Sequence, residues 1–232
     1  MEKILADGNF EREIKKMDFR VAIFGSARVK KDNENYEIVK ELAKIIGEND
    51  IDIVTGGGPG LMEAANKGHQ EGSKNNAAHS LGLLIKLPKE QKANEYLNAK
   101  TIFKKFIERL ETFLKLSHAV VVAPGGFGTL LELVYTLQVV QVKKNVRIPI
   151  ILMGPMWVDL VRWMQKWQLK RRFVNIEDFD SIYVVKKPEE AMEIIKAAKK
   201  LYQAKSSNLC PPLDKYKIKF DKSTKRFGFI PK

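Results

Sequence analysis

Glu132 closes the run PGGFGTLLE (124–132), and Arg109 lies on the preceding segment IERLETFLKL (107–116). A carboxylate and a guanidinium flanking a glycine-rich loop are the groups needed to hold an anion and to handle charge beside it. The loop offers the anion site: Gly125, Gly126 and Gly128 leave backbone N–H groups unobstructed ahead of a helix. There the positive end of the helix dipole attracts phosphate, and the Thr129 hydroxyl adds a donor. A second glycine run, TGGGPG (55–60), contains Gly57 and Gly58, and Gly25-Ser26 followed by Arg28 makes a third turn. None has the G-x-G-x-x-G spacing of a dinucleotide fingerprint or the G-x-x-x-x-G-K-[ST] of a nucleoside-triphosphate loop. Spacing alone leaves Glu132 readable as a first-turn helix charge, and Arg109 as a surface partner of Glu108 or Glu111. The glycines alone are also readable as tight turns, but three such turns on one rim favour a phosphate-bearing ligand.

These groups need a scaffold, and the apolar pattern supplies one. Uniformly apolar runs predict strands at 20–24, 51–54, 81–87, 119–123, 148–153 and 182–185. Helical spacing predicts helices at 34–48, 61–71, 103–116, from Thr129 to about 142, at 157–169 and at 188–202. Strands without polar alternation, each separated by a helix, make a parallel sheet covered on both faces. The expected fold is α/β: a Rossmann-like doubly wound parallel sheet in a three-layer α/β/α sandwich. Its ligand belongs beyond the carboxyl ends of the strands, where every glycine cluster falls. Trp157, Trp163 and Trp167 recur at i, i+6 and i+10, off a common face, and core packing is their expected role.

The 232 residues carry 41 Lys+Arg against 28 Asp+Glu, a net charge of +13. Residues 205–232 hold eight cations and two acids, so the tail carries +6 of that excess. Ser206-Ser207 to Pro211-Pro212 reads as a linker, and the alternation around DKST (221–224) as a hairpin. Such a tail is either a solvated extension or a surface for nucleic acid or another acidic partner. The expected organisation is an N-terminal segment (1–18), one Rossmann-like domain (19–204) and a basic C-terminal hairpin or tail (205–232). No uncharged run reaches the roughly 20 apolar residues of a membrane span, and the mainly apolar run 148–158 is broken by Gly154 and Pro155. The first 18 residues mix charges throughout, unlike a signal peptide. One cysteine and three histidines give no zinc spacing. A cytoplasmic protein without a metal centre is expected.

The two stretches GGGPGLMEAANKG (56–68) and PGGFGTLLE (124–132) resemble the LONELY GUY (LOG) family, whose members release free base from cytokinin riboside 5′-monophosphates. The second matches the family's P-G-G-x-G-T-x-x-E motif in full. FGSAR (24–28) and LPKEQ (87–91) resemble the larger bacterial members, and RLETFLKLSHAVVVAPGG (109–126) resembles bacterial purine/pyrimidine nucleotide 5′-monophosphate nucleosidases. The resemblance runs from about residue 20 to 202. It implies Arg109 and Glu132 as the catalytic pair, although Leu110 and Leu131 replace the usual neighbours of each. It also implies phosphate binding by Gly125, Gly126, Gly128 and Thr129, closure by Gly57 and Gly58, and base or ribose contacts from Ser26 and Arg28. The implied reaction is hydrolysis of a nucleoside 5′-monophosphate to base and ribose 5-phosphate, without cofactor, in a homodimer or larger homo-oligomer. Many members carry the label lysine decarboxylase, but nothing here marks a pyridoxal-phosphate lysine. The alternatives are a nucleotide or molybdenum-cofactor carrier on the same fold, or a nucleic-acid-binding module like that of the DNA-processing protein DprA.

Overall fold

The computed structural model describes residues 5–6, 8–74, 77–86, 92–142, 147–217, 219–221 and 226–228. In chain order these form Leu5–Ala6 (β1), Gly8–Glu13 (α1), Arg20–Phe24 (β2), Glu34–Glu48 (α2), Asp52–Thr55 (β3) and Leu61–Gly72 (α3). Ser80–Ile85 (β4), Ala99–Phe103 (β5), Phe106–Leu116 (α4), Ala119–Val122 (β6) and Phe127–Val142 (α5) follow. Then come Ile150–Met153 (β7), Pro155–Met164 (α6), Ile182–Val185 (β8), Pro188–Gln203 (α7), Lys219–Asp221 (β9) and Arg226–Gly228 (β10).

β2, β3, β6, β7 and β8 are buried at every position, which requires cover on both faces of their sheet. Side-chain alternation divides that cover. Val21 and Ile23 face a core built with α2, α3 and α7, while Ala22 and Phe24 face one built with α4, α5 and α6. The three-layer sandwich is therefore present. The sheet order is β1-β5-β4-β3-β2-β6-β7-β8, with β2 to β8 all parallel and the two-residue β1 antiparallel on β5. The parallel strands start in the middle at β2 and wind outward to β5, and the chain then returns through α4 to β6 on the other side of β2. Strand order reverses between β2 and β6, and a crevice opens beyond their carboxyl ends. The loops there are laced together: Ser26 N–H donates to the Pro124 carbonyl at 3.1 Å, and Ala123 N–H to the Phe24 carbonyl at 2.8 Å.

Several expectations need correction. The helix expected at 103–116 starts at Phe106, because Ala99–Phe103 is a strand. Its burial alternates, with Lys100 and Ile102 exposed, so it lacks the unbroken apolar run that identified the others. No helix separates β4 from β5 among the described residues of their connection; LPKEQ (87–91) lies outside them. The helix expected at 157–169 starts at Pro155, whose fixed φ suits a first helical position, and its last turn, Gln165–Leu169, widens to a π-turn. Of its tryptophans only Trp157 is core; Trp163 and Trp167 are 51% and 39% exposed.

The segment after α7 packs back onto the sheet instead of standing in solvent. Leu209, Cys210 and Tyr216 are buried, Tyr183 Oη donates to the Pro211 carbonyl at 2.7 Å, and Lys217 bridges Tyr183 on β8. Beyond it β9 and β10 pair antiparallel, Phe220 opposite Phe227. Ile218 and residues 222–225 lie outside the described residues. At the amino ends of the strands, Glu13, Asp52 and His79 come within 4.8 Å of one another, but cations already engage their carboxylates. Lys16 Nζ lies 2.8 Å from Glu13, and Arg20 Nε lies 3.4 Å from Asp52. Among the described residues no helix is long and apolar enough to cross a membrane.

Candidate active site

The crevice at the strand-order reversal is a cavity of about 680 Å³. Eight of the ten expected site residues line it: Ser26, Arg28, Arg109, Gly125, Gly126, Gly128, Thr129 and Glu132. Ser26 and Arg28 come from the β2 loop, Gly125 and Gly126 from the β6 loop, Gly128, Thr129 and Glu132 from α5, and Arg109 from α4.

Arg109 is buried rather than a surface partner of Glu108 or Glu111. Leu110, Phe113 and Leu116 bury the same side of α4, while Ile107 is exposed. Glu108 and Glu111 pair with Lys105 and Lys115, so neither engages Arg109. Its guanidinium turns into the sheet: Nε–H donates to the Leu83 carbonyl at 2.6 Å, and Nη1 lies 3.3 Å from Glu132 Oε1. Its Cζ stands 5.1 Å from the centroid of the Phe113 ring, one helical turn away. The paired side chains are only 10% and 12% exposed.

Glu132 was expected in the first turn of its helix. α5 begins at Phe127, which puts Glu132 in the second turn, where the dipole counts for less. Burial dominates instead. It pushes the Glu132 carboxyl up to about 7, and the Arg109 charge only partly opposes it. Burial likewise lowers the Arg109 guanidinium from its usual value, against the attraction of Glu132. The pair is thus a carboxyl poised near neutrality beside a fixed cation.

The anion cradle lies a few residues away. The first helical bond of α5 runs from Leu130 N–H to the Gly126 carbonyl at 2.9 Å, so the N–H groups of Phe127, Gly128 and Thr129 precede it. A side chain built at Gly126 or Gly128 meets no atom within 4 Å, so both face open space. Arg28 is exposed at the rim, its N–H donating to Ser26 Oγ at 3.1 Å.

Gly57 and Gly58 do not line the cavity, which corrects their expected role. Both carbonyls and the Gly57 N–H are engaged within the fold. Gly57 N–H donates to Thr55 Oγ1 at 3.0 Å, and Asn94 donates to the carbonyls of Gly57 and Gly58, both at 2.9 Å. Asn94 also bonds Asn66, which holds Thr55 and Ser80, so a buried amide–hydroxyl network locks the turn. The first N–H of α3, from Leu61, is taken by the Ser26 carbonyl at 2.9 Å. Only Gly56 of this run reaches the cavity. Residues not singled out in the sequence supply the apolar wall: Met62, Ile85, Phe106, Met156 and Leu160, with Trp157. Their signal was ordinary helix amphipathicity and, for Ile85, the apolar run of β4. The Trp157 indole N–H is buried without an acceptor among the described residues.

A family model described as possible lysine decarboxylase matches residues 62–195, which include Arg109, Glu132 and the second glycine loop. A curated Escherichia coli K12 protein, pyrimidine/purine nucleotide 5′-monophosphate nucleosidase, is 28% identical over 178 residues. The alignment covers 71% of this chain and 39% of that protein, so the chain spans about two fifths of the length of the curated relatives it matches. Among solved structures, the molybdenum cofactor binding protein of Rippkaea orientalis superposes with a TM-score of 0.60 at 17% identity, covering 78% of this chain and 98% of that one. The Moco carrier protein of Chlamydomonas reinhardtii gives 0.58 at 18% identity, covering 81% and 99%. At these identities the likeness is one of fold alone.

Proposed function

Because this chain belongs to the family described as possible lysine decarboxylase, the LOG family, we propose that it hydrolyses the N-glycosidic bond of a nucleoside 5′-monophosphate, giving free base and ribose 5-phosphate. The observation that carries this reading is the buried Arg109–Glu132 pair standing beside the open N-terminus of α5. The phosphate is held by the N–H groups at that N-terminus and by Thr129. This fixes the ribose with its anomeric carbon toward Glu132. As the bond to the base lengthens, positive charge grows on the sugar ring; the Glu132 carboxylate stabilises it and takes the proton of the attacking water, while the base leaves with the bonding pair and is protonated from solvent. Arg109 holds the carboxylate in place and favours its ionised form. Ser26 and Arg28 meet the ribose or base from the facing loop, and the base lies along the apolar wall of α6. Decarboxylation through a pyridoxal-phosphate Schiff base has no support, since no lysine is among the described residues lining the cavity.

A second copy of the chain completes the proposal. Phe127, Leu131 and Val134 leave α5 with exposed apolar side chains beside the cavity, and Glu132 is the helix's one charged residue. A homodimer burying this face accounts for them. The reading is tested by incubating the purified protein with AMP, GMP, CMP, UMP and isopentenyl-AMP and separating products by chromatography. Free base from the wild type but not from Glu132→Gln supports it. Ligand binding without release of any base would sink it in favour of a carrier.

A further inference from the structure

Of the three glycines at 56–58 only Gly57 has φ +70°, in the left-handed region that favours glycine; Gly56 lies outside that region, so its φ does not itself demand glycine. Another cause must keep a side chain away from position 56. A Cβ built there would collide with Arg109 Nη2 and would come 2.5 Å from Met62 Sδ. Both obstacles are ends of flexible side chains, so an added methyl would move them and leave the fold intact.

We propose that Gly56 is a positioning residue: by presenting bare backbone to Arg109 Nη2, it sets the guanidinium plane that lets Nε reach Leu83 and Nη1 reach Glu132. The guanidinium is caught on three sides, by the β4 carbonyl of Leu83, the Phe113 ring and Glu132, and Gly56 forms the fourth. A methyl at 56 rotates the group away, and the 2.6 Å and 3.3 Å contacts cannot both survive. Glu132 then keeps its burial but loses its cation. The other charged residue lining the cavity among those described is Arg28, at the exposed rim.

The test is a double-mutant cycle of Gly56→Ala with Arg109→Lys. A lysine lacks Nη2, so the methyl should be harmless in that background. In the wild-type background, kcat should fall about tenfold to a hundredfold with KM for the mononucleotide little changed, because the phosphate is held elsewhere. In the Arg109→Lys background the same methyl should cost less than about twofold. This kinetic arm rests on the nucleosidase reading. A second arm does not: carboxyl ¹³C NMR of Glu132 should titrate higher in Gly56→Ala than in the wild type, with an unchanged thermal midpoint. Equal costs in both backgrounds would assign the effect to Met62 and overturn the proposal, as would an unmoved Glu132 titration. If the wild type releases no base from any nucleotide, the nucleosidase reading fails and the titration alone decides.

Discussion

Arg109 Nε lies 2.6 Å from the Leu83 carbonyl, while its Nη1 lies 3.3 Å from Glu132 Oε1, so the guanidinium is held more closely by the sheet than by its carboxylate. On the proposed mechanism the cation is thereby fixed before substrate arrives, and no reorganisation is needed as charge develops. Glu132, less tightly held, stays available to a water or a sugar.

Removing either member should therefore affect rate more than binding. Glu132→Gln should lower kcat by about a thousandfold, and Arg109→Ala by about a hundredfold. Phosphate affinity, read by calorimetry with ribose 5-phosphate, should stay within a few-fold. A Glu132→Gln protein turning over normally would remove the carboxylate from the mechanism.

The pH profile follows from the same carboxyl. With Glu132 at about 7 in the free protein and active when ionised, kcat/KM should rise with pH and level off above about 7. Stability should move the other way. A carboxyl raised from 4.5 to about 7 on folding binds its proton more tightly in the native state, so its contribution is complete below 4.5 and is lost as pH rises through 7. The loss is at most about 3 kcal/mol. Urea denaturation at pH 4.5 and 8 should show wild type losing stability relative to Glu132→Gln on going to pH 8. Parallel behaviour would mean an unperturbed carboxyl.

His69 and His118 impose the opposite trend at acid pH. Burial lowers both from 6.5 to about 4; His118 Nδ1 accepts the Arg20 N–H at 3.1 Å, which needs a bare nitrogen, whereas the 2.9 Å bond from His69 Nε2 to the Ile51 carbonyl only partly opposes the burial. Groups whose folded value is depressed stabilise above 6.5 and lose that contribution as pH falls toward 4. In His118→Phe the acid-side decline in the denaturation midpoint should be shallower than in the wild type.

The glycines facing open space separate function from fold. Gly128→Leu puts its side chain where the proposed substrate's phosphate would dock, in a helical position where leucine is favoured over glycine by somewhat under 1 kcal/mol. KM should rise more than tenfold, with the thermal midpoint unchanged or raised. A fall in midpoint without a change in KM would make Gly128 merely structural.

Val134→Lys on the exposed face of α5 should convert a dimer to a monomer in light scattering, because the charge has no partner to bury against. A wild type that is already monomeric at micromolar concentration would refute this arrangement.

Much of this was legible in the sequence because the decisive elements are unbroken apolar runs. RVAIF, AVVV and IYVV can only be interior strands, and the glycines that follow the first two mark the crevice. Arg109 and Glu132 were legible as residues but not as a buried pair, since contact across 23 positions depends on how α4 and α5 pack. β5 was hidden because one of its faces carries Lys100, and edge strands lack the signature of central ones. Gly57 and Gly58 misled because a glycine run looks the same whether its backbone meets a ligand or, as here, the backbone and side chain of an asparagine.

The two margins of the sheet end differently. At β8 the chain doubles back, burying Leu209 and Tyr216 and bridging Tyr183 with Lys217, so a foreign strand would have to evict covalently attached neighbours. At β5 the described guard is two paired residues of β1 and the outward Lys100. Sheet growth by a stray chain is thus barred sterically on one margin and discouraged by charge on the other, and the β5 margin is where aggregation of damaged molecules would start.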